Sequence, residues 1–391
     1  MVLTARYPNF CKIRRRMKKF ALGVLFVFMA VFNIMVYNGY QVIYTASQQP
    51  RLSDISTAES KRSLQDVGET WKSVDNGIVN RQPGLRIILV GAFRTGSTFI
   101  GEMLNQNPSI FYMFEPLRLV HDIVHGNLIS KDLENSTKFE LIENLFNCRF
   151  PTYYVHHLRH WEYAVYESRE IKRTCRSNGG CGQTTAEDFS DSCKSREIVA
   201  MKVIRLDSLE LLKPLVVEQG MNLKIIHLVR DPRGVANSRK TLYRSWENRS
   251  IDKLGLTDSL KQYCQWMADL TYFSSNLPEW MKGRYKILRY EDAAMEPLQT
   301  AKAIYRYLGL PFSKSVRLWL GRNTKQDALT TNNMNTKRNS TAASQAWRTR
   351  LAFRDVKIIQ SFCSKQMKSV GYQIIDSENE MRNLAINILS G

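Results

Sequence analysis

The sequence predicts an α/β fold in which a central parallel sheet is flanked by helices. Short apolar runs, typical of buried parallel strands, occupy residues 87–90, 198–203, 223–229 and, more briefly, 286–288. Helical spacing of apolar residues, closed each time by a glycine, occupies residues 208–220, 297–309 and 353–371. Because strands and helices alternate, we expect a doubly wound sheet, which binds its ligands at the carboxyl ends of the strands.

The N-terminal part of the 391-residue chain predicts a membrane anchor followed by a stem. Residues 20–37 are almost wholly apolar and just long enough to cross a bilayer. Seven Lys and Arg and no acidic residue precede them, so the positive-inside rule places residues 1–19 in the cytosol and the rest in a lumen. A cleaved signal peptide is the alternative, but the apolar run is long and is not followed by a small-x-small cleavage site. We expect a polar stem over residues 38–84, one folded domain over residues 85–376 and a tail over residues 377–391.

A glycine-bounded loop, GAFRTGST at residues 91–98, follows the first predicted strand. Its glycines permit a tight turn, and a helix predicted over residues 99–104 presents an N-terminus that favours an anion. The spacing is that of a nucleotide P-loop, but Ser97 stands where the Lys is expected and the positive charge lies at Arg94. The loop therefore fits a phosphosulfate better than a Mg²⁺-bound triphosphate. An ordinary turn between strand and helix is the alternative.

A second motif, RDPRGVANSR at residues 230–239, directly follows the strand predicted over residues 223–229. Here the chain resembles the sulfotransferases that use 3′-phosphoadenosine 5′-phosphosulfate (PAPS), with residues 91–98 matching their 5′-phosphosulfate motif. The resemblance implies a P-loop-like sulfotransferase fold in which Arg230 and Ser238 hold the 3′-phosphate. That pairing is physically sensible because Arg offers a planar fork to phosphate oxygens and Ser a hydroxyl donor.

Further motifs resemble the Golgi galactose, N-acetylgalactosamine and N-acetylglucosamine 6-O-sulfotransferases. They are FYMFEPL at residues 111–117, RYED at 289–292, RNS at 338–340 and WR at 347–348. With the tail motif GYQI at residues 371–374, the pattern is most similar to keratan sulfate galactose 6-O-sulfotransferase, and chondroitin 6-O-sulfotransferase is a near second. The resemblance implies a type II Golgi membrane protein that sulfates a sugar 6-hydroxyl.

The charge of the chain indicates an anionic partner. The formal net charge is +20, and seven of the basic residues lie in residues 1–19, which leaves an excess of +13 for the remainder. The predicted lumenal position disfavours nucleic acid, which leaves PAPS and an anionic glycan, glycoprotein or proteoglycan acceptor. A merely soluble basic surface is the alternative for part of the excess.

Cysteine and glycosylation patterns agree with a lumenal domain. Six cysteines follow the predicted anchor, enough for three disulfides, and three of them lie in a Gly/Ser/Asp-rich segment that we expect to be a stapled loop. A zinc site is the alternative, but neither a C-x-x-C motif nor a nearby set of His ligands supports it. Sequons lie at Asn135, Asn248 and Asn339, the last inside a predicted cofactor loop.

Sulfuryl transfer defines what the donor site must do. An alcohol attacks sulfur in line while the 5′-phosphate leaves, so the protein must steady the charge on the leaving oxygen. Arg94 and Lys202 are the candidate cations, although Lys202 could instead be a solvated strand end. Tyr290 is expected near the adenine, with structural packing as the alternative. A loop over residues 330–349 is expected to close over the 3′ side with Arg338 and Arg348 as its cations, and a flexible surface segment is the alternative. The candidate donor-binding residues are Arg94, Thr95, Gly96, Ser97, Thr98, Phe99, Arg230, Ser238, Tyr290, Arg338 and Arg348.

Glu115 is the candidate general base for the acceptor alcohol, which needs one because it is a poor nucleophile. It lies between Phe114 and Pro116 among aromatic residues, so we expect desolvation to raise its pKa. A Glu that only orients Arg94 is the alternative, and His121 is the rival base. The chain shows no carboxylate pair near the donor loop, so we expect no metal.

Two other functions remain to be weighed. A P-loop kinase or NTPase needs the missing loop Lys, and a membrane-anchored lectin predicts glycan binding without PAPS binding.

Overall fold

The computed structural model describes residues 84–242, 251–252, 254–325 and 339–390. Its centre is a five-stranded, wholly parallel sheet with the strand order β2-β3-β1-β4-β5. The strands are β1 Arg86–Val90, β2 Ile110–Phe114, β3 Ile198–Val203, β4 Leu223–Val229 and β5 Tyr285–Arg289. The predicted parallel sheet flanked by helices is confirmed, and two strands have the predicted bounds.

Helices cover the sheet and fill the connections between strands. The first group is α1 Ser97–Asn105, α2 Arg118–His125, α3 Glu134–Phe146, α4 Thr152–His160, α5 Glu162–Tyr166, α6 Arg169–Ser177 and α7 Ala186–Lys194. The second group is α8 Lys213–Val217, α9 Pro232–Lys240, α10 Leu256–Ser275, α11 Tyr290–Met295, α12 Pro297–Tyr307, α13 Lys314–Asn323, α14 Ser340–Arg350, α15 Phe353–Ser369 and α16 Glu378–Arg382. Short 3₁₀ turns occupy Lys131–Leu133, Leu209–Leu212 and Glu279–Met281.

Strand β2 was not predicted. Its sequence, IFYMF, is apolar and fully buried, as expected of a parallel strand covered on both faces. The registry pairs Val90 of β1 with Val203 of β3, and Phe114 of β2 with Lys202 of β3. The carboxyl ends of three strands therefore lie at one level, where the segments that follow them meet.

The predicted helices over residues 297–309 and 353–371 are confirmed as α12 and α15. Gly309 and Gly371 follow them with φ of 67° and 82°, a left-handed conformation that glycine adopts without strain. The helix predicted over residues 208–220 is instead a 3₁₀ turn followed by α8. Pro214, which has no N–H to donate to a preceding carbonyl, starts the new helix in its first turn.

The six cysteines form the three disulfides that the sequence allows: Cys148–Cys193, Cys175–Cys181 and Cys264–Cys363. Cys175 and Cys193 lie on α6 and α7 rather than in the expected loop. Because every one of these thiols is oxidised, the alternative of a cysteine zinc site is wrong.

The predicted cytosolic tail, anchor and most of the stem lie outside the described residues, as do Asn248 and Arg338. Within residues 84–390, gaps excepted, no helix is both long enough and apolar enough to span a membrane. Asn135 is exposed on α3, and the side chain of Asn339 caps α14 by accepting from the N–H of Ala342 at 3.0 Å.

Candidate functional site

The loop over residues 91–98 leaves the carboxyl end of β1 and leads directly into α1, as predicted. The N–H of Gly91 donates to the carbonyl of Val203 at 3.0 Å, which ties the start of the loop to β3. Arg94 and Gly96 have φ of 72° and 90°, so the backbone reverses sharply before the helix. Within the described residues no side chain caps α1, and although the N–H of Phe99 donates to the carbonyl of Gly96 at 3.0 Å, a helix N-terminus of this kind offers backbone N–H groups to an anion.

Arg230 and Ser238 reach this loop from the other side. The Nε of Arg94 donates to the Oγ of Ser238 at 2.9 Å, and Nη1 of Arg230 donates to the carbonyl of Arg94 at 3.1 Å. Among the described residues, the buried Nε of Arg230 makes no hydrogen bond. The two motifs, far apart in sequence, thus converge on one place and leave a cationic donor there for an anionic ligand.

The local fold fixes both of these residues. Asp231 caps α9 by accepting from the N–H of Arg233 at 2.8 Å, so the helix that carries Ser238 begins directly after the strand. The hydroxyl of Tyr263 bonds both backbone groups of Arg230, accepting from its N–H at 3.0 Å and donating to its carbonyl at 2.7 Å. Arg230 is therefore held at the end of β4.

Tyr290 packs beneath the donor loop. A Cβ on Gly96 would lie 2.3 Å from Cδ2 of Tyr290, so only glycine fits against this ring. The guanidinium of Arg230 lies 4.2 Å from the centroid of the same ring, close enough for a cation–π interaction. The side chain of Phe99 is also buried, edge-on to Tyr290 at 6.4 Å between centroids. Tyr290 and Phe99 thus support the loop by packing, and a position of Tyr290 near the adenine stays a prediction.

Arg348 does not lie in a loop, and the prediction that it closes over the nucleotide is wrong. It belongs to α14, and its side chain is fully buried. Nε and Nη1 donate to the carbonyls of Met381 and Ile386, both at 2.9 Å, and Nη2 donates to the carbonyls of Glu380 and Asn383. Because its guanidinium is bonded to this backbone, Arg348 anchors the C-terminal segment.

Lys202 is buried, so the alternative of a solvated strand end is wrong. Its side chain is 1% exposed, and Nζ donates to Glu115 Oε1 at 2.7 Å and to Thr98 Oγ1 at 3.3 Å. Nζ also lies 3.8 Å from the centroid of Phe114. Burial lowers the pKa of Lys202, while the Glu115 carboxylate opposes that shift. The buried cation therefore joins the donor loop to Glu115.

Glu115 is ion-paired, and the prediction that its pKa is raised is wrong. Arg205 Nη1 donates to Oε2 at 2.8 Å, while Oε1 accepts from Lys202. Desolvation raises the pKa of Glu115, but the two cations outweigh it and hold the pKa below its ordinary value. The alternative that Glu115 orients Arg94 is also wrong, because the cations it orients are Lys202 and Arg205. At neutral pH the group is a carboxylate.

Several residues of the site could not be predicted from the sequence, because they belong to no motif. Arg205 follows Lys202 by three residues beyond the end of β3, and no motif includes it. Burial and the charge of Glu102 raise the pKa of Glu167 to about 7, against the opposing effect of Lys202. Tyr163 packs edge-on against Phe114 at 5.3 Å between centroids, and its side chain lies beside Glu167.

His121, the rival base, lies on α2 and is partly exposed. Its Nδ1 lies 3.2 Å from Asp122 Oδ1, and its ring stacks on His125 at 3.9 Å between centroids. Partial burial lowers the pKa of His121. In the described residues no group of three or more His, Cys, Asp and Glu is arranged to hold a metal ion.

The sequence of this chain is similar to those of known proteins over most of its length. A family model described as Sulfotransferase domain matches residues 85–371. Carbohydrate sulfotransferase 1 of Mus musculus is 29% identical over 378 residues, which cover 87% of this chain and 90% of that protein. Carbohydrate sulfotransferase 3 of Tetronarce californica is 29% identical over 341 residues, covering 78% and 76%. The solved sulfotransferase domain from the curacin biosynthetic pathway matches with a TM-score of 0.43 and 16% identity, over 76% of this chain and all of that one, a likeness too distant to support a conclusion.

Proposed function

Because the chain belongs to the sulfotransferase domain family, we propose that it transfers a sulfuryl group from PAPS to the 6-hydroxyl of a sugar. The observation that carries the proposal is the meeting of Arg94, Ser238 and Arg230, which joins the two phosphate motifs at the mouth of one loop. Similarity to carbohydrate sulfotransferases 1 and 3 supports a carbohydrate acceptor.

The donor residues suit a nucleotide that carries two phosphate groups. Arg94 and the backbone N–H groups of residues 96–98, with the hydroxyls of Thr95, Ser97 and Thr98 nearby, would hold the 5′-phosphosulfate. The hydroxyl of Ser238 and Nε of Arg230, which makes no hydrogen bond to any described residue, would hold the 3′-phosphate. Arg338 stays a proposed nucleotide cation. When bound, PAPS supplies the sulfuryl group and the phosphate that leaves.

The residues around Lys202 are suited to the transfer itself. Nζ of Lys202 lies beside Thr98 of the donor loop, from where it would stabilise the negative charge on the leaving oxygen. Glu115 holds Lys202 and Arg205 in place and would accept the proton of the attacking sugar hydroxyl at its carboxylate. We assign no metal to this reaction, since the cations of the protein can carry the charge.

The acceptor proposed is galactose of keratan sulfate or a related glycan, with N-acetylgalactosamine of chondroitin or N-acetylglucosamine as alternatives. The relatives named carbohydrate sulfotransferase 1 and 3 are similar to the chain at the same 29% identity and so favour neither. We propose that the protein is a single-pass type II protein of the Golgi membrane, with the domain in the lumen, from the basic flank and apolar run over residues 1–37.

Calorimetry with PAPS and with ATP tests the donor assignment. We expect the chain to bind PAPS in EDTA and not ATP, and Arg230→Ala to weaken PAPS binding by about 10- to 100-fold, since a lost charge-assisted bond costs about 1.5–3 kcal/mol. Exposed Arg176 on α6 provides the matched control, and Arg176→Ala should bind PAPS as the wild type does. Unchanged affinity in Arg230→Ala would overturn the assignment. Radiolabelled sulfate transfer to desulfated keratan, chondroitin and N-acetylglucosamine-terminated acceptors identifies the sugar.

A further inference from the structure

Five of the six histidines of the chain lie on two helices that meet Trp161. We call them the histidine cluster: His121 and His125 on α2, and His156, His157 and His160 on α4. The rings of the first pair stack at 3.9 Å, and those of His156 and His160 lie 4.5 Å apart between centroids. The outer three, His125, His156 and His160, are exposed, and the other two are partly exposed.

The histidine cluster lies beside the proposed reaction centre. The ring of Trp161, which follows α4, contacts His157 at 5.2 Å and Phe114 at 6.0 Å between centroids. Phe114 immediately precedes Glu115. On α2, the charge of Arg205, which donates to Glu115, acts on His121. The cluster is thus linked to the Glu115–Lys202 pair through Phe114 and Arg205, whereas the donor loop contacts that pair through Thr98.

The charges around the cluster favour an anionic ligand once the histidines are protonated. His121 is influenced by Asp122, Arg205 and His125, and His157 by Asp122, Arg118, His156 and His160. The carboxylate among these groups, Asp122, is already bonded by Arg118 at 2.6 Å. On the neighbouring α3, Glu140 acts on Tyr153 near the start of α4. The cluster, with Arg118 and Arg205, is therefore net positive when protonated.

We propose that the histidine cluster is a subsite for an acidic group of the acceptor, a carboxylate or sulfate ester on a sugar near the one that is modified, and that it binds this group more tightly below neutral pH. The partly buried ring of Trp161 offers an apolar face for the sugar next to it. This inference rests on the proposed function.

The expected size of the effect follows from proton linkage. Burial lowers the pKa of His121 and His157, so these two histidines are mostly neutral at pH 7.5 before an anion binds. A bound anion raises the pKa of each histidine that it contacts, and a rise of about one unit strengthens binding about fivefold between pH 7.5 and pH 5.5. Two such histidines would give about 25-fold.

Binding of defined octasaccharides to the full-length chain in detergent, with EDTA and without PAPS, tests the inference. One acidic probe is an unsulfated chondroitin octasaccharide, paired with its carboxyl-reduced form. The other is a 6-O-sulfated N-acetyllactosamine octasaccharide, paired with its unsulfated form. We expect at least one acidic probe to bind at least fivefold more tightly at pH 5.5 than at pH 7.5, and the neutral forms to show no change. The two acidic probes separate a carboxylate ligand from a sulfate ester.

Two double variants make the test specific to the cluster. His121→Gln/His157→Gln should bind the acidic probe weakly at both pH values, and His121→Arg/His157→Arg should bind it tightly at both. PAPS affinity of each variant, measured by calorimetry, reports whether the fold is intact. A pH dependence that persists in the Gln variant, that the neutral probes share, or that requires added Zn²⁺ would overturn the inference. Failure of the proposed function would appear separately, as absence of sulfate transfer by the wild-type chain.

Discussion

Replacing Glu115 with glutamine separates its role as the partner of buried cations from its proposed role as a base. Oε1 lies 2.7 Å from Nζ of Lys202, whose side chain is 1% exposed, and Oε2 lies 2.8 Å from Arg205. Removing one partner of a buried pair typically costs about 3–5 kcal/mol, because the other charge is left without compensation. Since the glutamine oxygen still accepts from Lys202 and Thr98 remains nearby, we expect a loss near the lower end, about 3 kcal/mol.

Activity should fall further than stability alone explains. Loss of a general base typically lowers kcat by about 10²–10⁴-fold, with PAPS affinity nearly retained. The pKa of Glu115 lies below its ordinary value of 4.5, so wild-type activity should be lost only as the pH falls below that value. In Glu115→Gln this acidic limb disappears. The pKa of Lys202, already lowered by burial, should fall further without the carboxylate, so activity is lost at lower pH on the alkaline side.

Two further variants isolate these effects. Glu170 on α6 is 2% exposed and pairs with Arg169, Arg173 and Arg196, so Glu170→Gln should lose stability and keep its kcat. Lys202→Met added to Glu115→Gln removes the orphaned charge and should restore part of the free energy of unfolding, but no activity. Denaturant unfolding measures the free energy of unfolding of each variant, and transfer of radiolabelled sulfate measures its kcat.

A Glu115→Gln enzyme that keeps more than about a tenth of wild-type kcat would show that Glu115 is not the general base, because loss of a general base lowers kcat by about 10²–10⁴-fold. His121→Asn and Glu167→Gln would then be tested in the same way. If the double variant is no more stable than Glu115→Gln, the argument from the buried charge is wrong.

Two other predictions concern the loop and the second carboxylate. Gly96→Ala should lose about 2–4 kcal/mol of stability and weaken PAPS binding, because the new Cβ displaces the Tyr290 ring that packs against Arg230. The control Gly255→Ala, also left-handed but with open space around it, should cost only about 1–2 kcal/mol, and equal losses in unfolding assays would contradict the packing argument. For Glu167, the pKa of about 7 means that the native state keeps a proton which the unfolded chain releases above pH 4.5, so stability falls as pH rises from 4.5 to 7. Glu167→Gln should therefore gain more stability over wild type at pH 8 than at pH 5, and an equal difference in Tm at both values would contradict this.

The sheet could largely be predicted because its strands are mainly apolar, and β3 and β4 have the predicted bounds. Strand β2 was not predicted, since its sequence, IFYMF, overlaps the motif FYMFEPL at residues 111–117. The single helix predicted over residues 208–220 failed at Pro214, where a 3₁₀ turn gives way to a new helix. The spacing of apolar residues predicts one helix even where a proline lies inside the pattern, because it takes no account of the N–H that proline lacks.

The site was predictable where a motif names a residue and unpredictable where distant partners decide its state. Aromatic neighbours of Glu115 in sequence indicated desolvation, but its charge is set by Lys202 and Arg205, which are distant in sequence. Only the pairing of β2 with β3 brings them together. The prediction for Arg348 was wrong for a similar reason. Its partners are backbone carbonyls of residues 377–391, which the sequence indicated were a tail.

The bonds of Arg348 bear on how a change that stops the chain at residue 378 should be interpreted. All the motifs that mark the donor site lie before residue 378, so a premature stop there would leave every one of them encoded. The truncated product would nevertheless lack the carbonyls that Arg348 binds and the contact between Leu389 and Tyr372. A buried guanidinium without acceptors is costly, so the shortened chain should be recognised as misfolded and degraded. A nonsense allele at this position would then act through loss of protein, although every donor motif is still encoded.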